Sequence, residues 1–332
     1  MPTGINVPFQ GSTQMAAYFT VRSIFMDEAT YDEFIPQNEG MFRPIKVLAP
    51  AGCLYNPSFP RSCFSRFPQL QRLSDNINLA LAPVLGERAM AGSSAHCHFC
   101  AYTGFDHEAG EYWVYLEVNE GAYGGRYGKD GLDSVDTLIP NTRNNPIEEL
   151  EWRFPLRCER YELRDEPAAP GKWRGGIGIV RQNRFLIEGF FGCEGTRQLE
   201  QDPPRGMFGG VNGRVGSLTR NPGTSGEEAI NAMVTGVPIH AGDLFQIVAP
   251  NGGGFGDPLE RDPLQVREDV LDGFTSLEQA REAYGVVLEH GTLEVDVAGT
   301  TALRKQLDEL RRPGDPPPAR LATTDIIALT RE

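Results

Sequence analysis

The sequence predicts an α+β fold, with β-rich mixed sheets through the middle of the chain and a helical C-terminal region. Three observations predict it. An amphipathic helical pattern occurs before residue 90, short alternating or β-branched runs separated by glycine and proline extend from Tyr112 to about Pro250, and helical patterns follow Pro263. We therefore expect a β-rich main domain over residues 1–263 and a helical region with a tail over residues 264–332.

The first ninety residues contain three candidate elements. Ala16–Phe25 is apolar but too short for its periodicity to separate a strand from a helix. Arg43–Pro50 alternates in polarity and predicts a strand. Pro68–Leu81 predicts a helix that Pro83 kinks or ends, because four apolar side chains fall on one face: Leu70, Leu73, Ile77 and Leu81.

The middle and the C-terminal region carry the remaining elements. Tyr112–Val118 predicts a strand, and further strands are expected at Leu156–Leu163, Gly176–Arg181, Arg184–Ile187 and Leu244–Val248. Helices are expected at Gln265–Leu271, Ser276–Tyr284 and Thr300–Arg311. Ser276 and Gln279 approach a capping-box arrangement, which favours a helix start at that point.

Four glycine-rich loops are the most informative feature of the chain: Gly121–Asp133, Gly171–Gly178, Gly206–Gly216 and Asn251–Pro263. Glycine lacks a Cβ, so such loops can adopt positive φ or let the backbone approach a ligand or another chain closely. Each glycine also costs conformational entropy on folding. Tight turns in a β-rich fold explain any one of these loops, whereas the set as a whole predicts a functional use.

The loop Gly121–Asp133 combines five glycines with Arg126, Lys129 and Asp130. Backbone N–H groups can form an anion-binding nest, and the two cations can neutralise a phosphoryl or carboxylate group. No G-x-x-x-x-G-K-[ST] motif occurs in it, so it is not a P-loop. We predict a place near an active site or a subunit contact, against the alternative of a solvated surface hairpin.

A second polar cluster follows at residues 141–146. Asn145 and Pro146 suit the N-cap and first positions of a helix. That interpretation leaves Asn141, Arg143 and Asn144 unexplained. We predict that these three contact a ligand, with the two asparagines orienting a substrate.

A third cluster, His96, Cys97, His98 and Cys100, has C-x-x-C spacing beside two histidines. A closed zinc site normally requires a second such pair, and none follows. A strand with ordinary buried thiols explains the same residues, so metal binding at this cluster stays open. No G-x-S-x-G nucleophile motif is present either.

Composition excludes several classes of function. The chain has 332 residues, 40% of them hydrophobic, and a net charge of −14, which argues against nucleic acid and anionic membranes as partners. It has no apolar run of the ~20 residues that a membrane helix needs, and its N-terminus does not resemble a signal peptide. Six cysteines are too few for a disulfide scaffold. These features predict a cytoplasmic protein with reduced thiols.

The glycine-rich loops and their flanking segments, taken in order, resemble the C-terminal part of the hydantoinase B/oxoprolinase family. GINVPF to RPIKVLAPAGCLYNPSFP resembles the middle of that family, so the resemblance covers nearly the whole chain. The segments that carry the C-terminal resemblance are VNEGAYGGRYGKDGLDSVDTLIPNTRNNPIEELE, PLRCERYELR, PGKWRGGIGIVR, GMFGGVNG, NGGGFGDPLERDPLQVREDVLDG and AREAYGVVL.

The resemblance implies a subunit of an ATP-dependent enzyme that opens hydantoin, lactam or 5-oxoproline rings. Such enzymes pair a B-type subunit with an A-type, actin-like ATPase subunit, on which ATP and Mg²⁺ are expected. Related enzymes carboxylate ketones such as acetone or acetophenone, so a ketone carboxylase subunit is the first alternative. A non-catalytic assembly subunit that docks on the ATPase is the second.

The chain departs from the family at its N-terminus, because B-type subunits are longer there. The family's Asp/His site for a divalent metal, Zn²⁺ or Mn²⁺, lies in that additional part. We therefore expect no metal site on this chain, and a separate polypeptide that supplies the missing part. On this interpretation the chain is the C-terminal half of a B-type subunit, either a split subunit or a truncated product, and inactive alone.

Overall fold

A computed structural model of the chain describes residues 4–26, 34–36, 38–64, 66–94, 98–195 and 201–310. Its helices are α1 (Gln14–Phe25), α2 (Glu39–Phe42), α3 (Phe67–Leu85), α4 (Ile147–Arg153), α5 (Pro263–Leu271), α6 (Leu277–Glu282) and α7 (Val297–Glu309). Its strands are β1 (His98–Asp106), β2 (Glu111–Asn119), β3 (Leu156–Leu163), β4 (Ile179–Phe185), β5 (Gly189–Glu194), β6 (Ser217–Arg220), β7 (Glu228–Ala229), β8 (Met233–Ile239) and β9 (Leu244–Val248). Within these ranges no helix is both long enough and apolar enough to cross a bilayer. The predicted α+β class is confirmed.

The strands form two antiparallel sheets, with the orders β2-β1-β5-β8 and β3-β4-β9-β6-β7. Their inner faces share one hydrophobic core, in which the rings of Phe191 and Phe245 stack across the sheets with centroids 4.3 Å apart. The strands predicted at Leu156–Leu163 and Leu244–Val248 are confirmed residue for residue. The two runs predicted on either side of residue 182 are one strand, β4.

The N-terminal segment is helical where its sequence was ambiguous. Ala16–Phe25 lies within α1, which packs on α3. The predicted helix at Pro68–Leu81 is confirmed as α3, which continues past Pro83 to Leu85. The strand predicted at Arg43–Pro50 is wrong: this segment is irregular and pairs with no other strand. The alternating polarity of this segment indicated an extended chain, but a β-strand also needs a neighbouring strand that supplies hydrogen bonds.

The glycine-rich loops converge on the segment 251–256, every residue of which is buried. A Cβ on Gly252, Gly253 or Gly254 would in each case collide with the backbone of a different neighbour. The three neighbouring segments are, in that order, residues 123–124, 205–206 and 169–170. Contacts that change direction at every residue and involve three neighbours are typical of a polyproline II bundle, which has about three residues per turn.

Hydrogen bonds between backbones hold this glycine bundle together. Gly253 donates its N–H to the Gly92 carbonyl at 2.8 Å, while its own carbonyl accepts the Gly125 N–H at 2.9 Å. None of the three central glycines has positive φ. They are required here because only a residue without Cβ permits this closeness of approach. The close contact that the sequence indicated is therefore made by the chain's own backbone.

The C-terminal helices begin at side-chain caps. Asp262 accepts the Leu264 N–H at 2.9 Å at the start of α5, and Ser276 accepts the Gln279 N–H at 3.0 Å at the start of α6. The helices share a small core of their own around Tyr284. The predicted helical C-terminal region is confirmed up to residue 310, whereas the proline-rich stretch at 313–318 and the tail lie outside the described residues.

A buried ion-pair network ties these helices to the loop 121–133. Arg261, only 3% exposed, binds both carboxylate oxygens of Asp130 at 2.8 Å and pairs with Asp269 of α5 at 2.9 Å. Arg174 pairs with Asp133 at 3.0 Å and lies 3.5 Å from Asp269. Two buried arginines thus share three aspartates, of which Asp130 and Asp133 are partly exposed to solvent.

We expect Gly253→Ala to lower the free energy of unfolding by about 1–3 kcal/mol or more. The new Cβ would lie 2.6 Å from the Arg205 carbonyl carbon and 2.9 Å from the Gly206 nitrogen, and this backbone cannot move without shifting the bundle. Urea denaturation measures the effect. Gly226→Ala is the control, because its nearest atom would lie 3.7 Å away. Equal stability of the two variants would contradict the bundle's dependence on glycine.

We expect Arg261→Met to destabilise the fold by about 3–5 kcal/mol, because two aspartates would lose their buried partner. Lys172→Met is the matched control: Lys172 and Glu260 form a pair at 3.0 Å whose side chains are 37% and 39% exposed. Breaking such a pair costs about 1 kcal/mol or less. If denaturation shows that both variants lose the same stability, the network does not hold the C-terminal helices in place.

Candidate functional site

A groove of about 600 Å³ opens beside the end of β2. Its walls are Glu120, the segment 134–136, the segment 140–147 and Tyr161 of β3. Glu120 is the first residue after β2, and the chain returns past it before α4 begins. The groove thus brings together the end of one sheet, a strand of the other and the polar cluster between them.

The glycine bundle positions the loop that forms one wall of the groove. The Ser134 N–H donates to the Ile177 carbonyl at 2.8 Å, and the Leu138 N–H donates to the Tyr123 hydroxyl at 2.8 Å. Ser134 and Leu138 both have positive φ, 47° and 64°, which is costly for residues other than glycine. Backbone strain of this kind concentrates at functional sites, where surrounding structure enforces it.

Glu120 is the titratable group that this environment perturbs most clearly. It is 7% exposed, and burial raises the pKa of its carboxyl to about 7. The negative charges of Asp136 and Glu117 act in the same direction, while Arg181 opposes them. A carboxyl with this pKa exchanges protons readily near neutral pH, which suits a general acid or base.

Polar partners surround this carboxyl. The Asn144 side-chain amide donates to the Tyr161 hydroxyl at 3.0 Å and to Glu120 Oε2 at 3.4 Å. Burial raises the pKa of Tyr161, so its hydroxyl keeps its proton. Asp136 Oδ2 accepts the Thr142 N–H at 2.8 Å, whereas the buried Asp136 Oδ1 has no hydrogen-bond partner. The groove therefore offers a proton-transfer group and an oriented amide beside the Asp136 carboxylate.

A fully buried ion pair lies behind the groove. Arg181 Nη2 binds Glu117 Oε2 at 3.1 Å, with both side chains at most 1% exposed. Glu117 Oε1 also accepts the Tyr102 hydroxyl at 2.8 Å and the Asn183 amide at 2.6 Å. The Arg181 guanidinium lies over the Tyr161 ring, 4.5 Å from its centroid. This pair joins the two sheets and fixes the ring that forms part of the groove.

The six residues predicted from the loops separate into two groups. Asn141, Arg143 and Asn144 all line the groove. Arg126, Lys129 and Asp130 do not: Arg126 lines a separate cavity of about 190 Å³ between the loop and helices α1 and α3. Lys129 is exposed and its backbone pairs with that of Arg126, while Asp130 is bound by Arg261. Their catalytic roles stay predictions.

Two details of the loop chemistry need correction. Several of the N–H groups expected to form an anion nest donate to backbone instead: Tyr123 to Leu132, Gly125 to Gly253 and Gly131 to Arg174. The bundle needs these bonds, so they are not available to a ligand. Asn145 does not cap α4 either. The N-cap position belongs to Pro146 and no side chain caps the helix, while Asn145 lines the groove.

Sequence reasoning did not identify Glu120, Asp136, Tyr161, Glu117 and Arg181. A pattern was present for two of them, because Glu117 and Glu120 interrupt or end the strongly apolar run from Tyr112. An acid at an inward position of a predicted strand needs a buried partner. The partner Arg181 is 64 residues away in sequence, so no local pattern could find it.

The histidine and cysteine cluster is only partly described. His96 and Cys97 lie outside the described residues. His98 is buried, and desolvation lowers its pKa to about 3, so it stays neutral. Cys100 Sγ lies 3.8 Å from Cys193 Sγ on the neighbouring strand, and burial raises the pKa of its thiol. In the described part of the chain no three His, Cys, Asp or Glu side chains come together as a metal site would require.

Comparison with known proteins places the chain in a family. The sequence profile of the hydantoinase B/oxoprolinase family matches residues 1–258. The B subunit of a provisionally named D-/L-hydantoinase from Pseudomonas sp. (strain NS671) is 45% identical over 302 residues, which are 91% of this chain and 50% of that protein.

Two solved structures share the fold. The ATP-dependent caprolactamase from Pseudomonas jessenii superposes with a TM-score of 0.73 at 25% identity, covering 90% of this chain and 52% of that one. A nucleotide-free acetone carboxylase superposes with a TM-score of 0.71 at 20% identity, covering 98% of this chain and 47% of that one, and this likeness shows the fold alone. The chain spans about half the length of each of these three proteins. By sequence, it belongs to the hydantoinase B/oxoprolinase family.

Proposed function

We propose that this chain is the C-terminal half of a B-type subunit in an ATP-dependent amidohydrolase that opens hydantoin, lactam or 5-oxoproline rings. Family membership supports the proposal, as do two relatives whose names state such activities, the B subunit of a hydantoinase and an ATP-dependent caprolactamase. The catalytic contribution of this chain is assigned to the groove at Glu120.

The observation that carries this assignment is a buried carboxyl with a pKa of about 7 beside oriented amide and hydroxyl groups. In its ionised form Glu120 accepts a proton from water as the water oxygen bonds to the ring carbonyl carbon. The protonated Glu120 then returns this proton to the ring nitrogen as the C–N bond breaks. A carboxyl near its pKa performs both steps efficiently at neutral pH.

The other side chains of the groove suit a cyclic amide. The Asp136 carboxylate, on the wall of the groove, can accept a ring N–H. The amides of Asn141 and Asn144 can orient the ring carbonyls, and the exposed Arg143 can bind an anionic group of the substrate or a phosphoryl group. Arg126 and Lys129 retain a proposed role in neutralising such a group at the subunit contact. Asp130 acts there by holding Arg261.

The proposal includes partners and cofactors. We propose an A-type, actin-like ATPase subunit that binds ATP and Mg²⁺, and a separate polypeptide that supplies the other half of the B-type subunit with a site for Zn²⁺ or Mn²⁺. ATP bound on the A-type subunit would transfer its γ-phosphoryl group to the ring amide oxygen with loss of ADP, and a further water would release this group as inorganic phosphate after the C–N bond has broken. The described residues do not fit the metal ion or ATP. They form no metal-ligand set, and glycine-loop amides such as those of Gly125 and Gly131 donate to the chain's own backbone.

Ketone carboxylation and a purely structural assembly role are the competing interpretations. The acetone carboxylase shares the fold only, so it does not favour carboxylation for this chain. A non-catalytic role gives no reason for a buried carboxyl that titrates near neutral pH beside a groove. Cyclic amide hydrolysis therefore accounts for more of the site.

We expect this chain alone to show no ATP-dependent turnover. Co-purified with an A-type ATPase subunit and the other half of a B-type subunit, it is expected to hydrolyse a hydantoin, a lactam or 5-oxoproline with release of inorganic phosphate. The test measures phosphate release and ring opening with each of these substrates, and phosphate release with acetone and acetophenone in the presence of bicarbonate. Carboxylation of the ketones without opening of any ring would favour a ketone carboxylase instead. Turnover by the isolated chain would refute the proposed need for partner subunits.

We expect Glu120→Gln to lower kcat/KM of the reconstituted complex by about 10²–10⁴-fold, because the amide cannot accept the proton of water. Wild-type activity is expected to rise with pH through about 7, where Glu120 ionises, and the variant is expected to lose this step. Glu108→Gln is the control, since Glu108 is exposed in the turn between β1 and β2. An unchanged pH profile in Glu120→Gln would exclude Glu120 as the proton-transfer group.

A stability measurement separates this effect from misfolding. The folded-state pKa of Glu120 is raised from 4.5 to about 7, so the stability tied to its protonation is complete below about 4.5 and is lost as pH rises through about 7. The side chain of the Glu120→Gln variant does not ionise, so the variant does not lose this stability as pH rises. Glu120→Gln is therefore expected to be at least as stable as wild type above pH 7, as thermal unfolding would show.

A further inference from the structure

The outer face of the sheet β2-β1-β5-β8 carries exposed apolar side chains, beyond the end at which Phe67 of α3 stacks on Phe99 of β1. Tyr112, Val114 and Leu116 of β2 are 83%, 59% and 50% exposed, and Phe190 of β5 is 50% exposed. These residues alternate with the buried ones that form the inner core. A contiguous apolar surface of this kind on a soluble chain marks an interaction site.

The strand sequence itself indicates burial on both faces. A half-solvated antiparallel strand alternates apolar and polar residues. In β2, by contrast, the inward Trp113 and Tyr115 alternate with outward side chains that are also apolar. The outward positions of β1, β2 and β5 are uncharged up to the end of β5, where Glu194 lies. In a chain of net charge −14, this depletion of charge is characteristic of an interface core.

The register places small side chains near the middle of this face. Phe190 pairs with Thr103, which pairs with Val114, and the next outward row is Gly192, Ala101 and Leu116. In these two rows the small side chains are those of Thr103, Ala101 and Gly192, whereas β1 carries the large outward Phe99 and Phe105 nearer its ends. Side chains of another element can pack closely against these small residues, as at well-packed interfaces.

The relatives contain about as much chain again outside the matched part, and that part is a candidate occupant of this face. The chain accounts for 50% of the hydantoinase B subunit and 52% of the caprolactamase chain. We propose that the outer face of β2-β1-β5-β8 docks the polypeptide that carries the other half of the B-type subunit. This inference rests on the proposed function, because a split B-type subunit requires its two halves to associate. An apolar contact of this kind suits a permanent partner.

The experiment co-expresses the full chain with the tagged part of the Pseudomonas sp. NS671 hydantoinase B subunit that lies outside the matched 302 residues. Co-purification and the dissociation constant are the readouts. Val114→Glu and, independently, Phe190→Glu are expected to weaken association at least ~30-fold, because each places a charge in a desolvated contact. Trp152→Glu is the control: this side chain is 84% exposed on α4, away from the face.

Because Val114 and Phe190 are already solvated, the variants are expected to melt at the wild-type temperature. Wild-type affinity in both variants, or no association of the wild-type chain, would overturn the proposal. So would self-association that Val114→Glu abolishes, since a second copy would then be the occupant. Association that depends on this face without any ring opening in the reconstituted complex would support the docking surface and contradict only the proposed function.

Discussion

Direct contact between backbones in the glycine bundle is the constraint on which the rest of this structure depends. Gly252, Gly253 and Gly254 each face a different neighbouring segment at a distance that any side chain would prevent. The bundle therefore fixes where four loops leave it, including the loop that carries Ser134 and Leu138 to the groove. The entropic cost of so many glycines is offset by the hydrogen bonds that their closeness permits.

The groove illustrates how a stable frame tolerates an unfavourable site. Two residues with positive φ, a carboxyl with a raised pKa and a buried acceptor without a partner lie within one short stretch of chain. Each feature costs stability, and the two packed sheets (the sandwich) and the glycine bundle hold all of them in place. Such a concentration of cost is expected where geometry serves chemistry rather than stability.

The sequence predicted three side chains of this groove as ligand contacts and did not single out Glu120. Asn141, Arg143 and Asn144 stood out because helix capping left them unexplained, and the structure places all three on the groove. Arg126 and Lys129 were predicted from the glycine-rich loop that carries them, yet they lie away from the groove. The glycine amides of that loop bind the backbone of the bundle rather than a ligand. Glu120 was not identified, since its raised pKa arises from burial and from charges brought close only by folding.

Local patterns were sufficient for the fold class, for most of the helices and strands, for the cap at Ser276 and for the family. These depend on periodicity, turn residues and ordered motifs, which are local properties of the chain. Tertiary structure alone decided that Arg43–Pro50 has no strand partner, that Asp130 belongs to Arg261, and that Glu117 meets Arg181 inside the sandwich. Pairing, burial and charge compensation depend on residues far apart in sequence, so only the folded chain determines them.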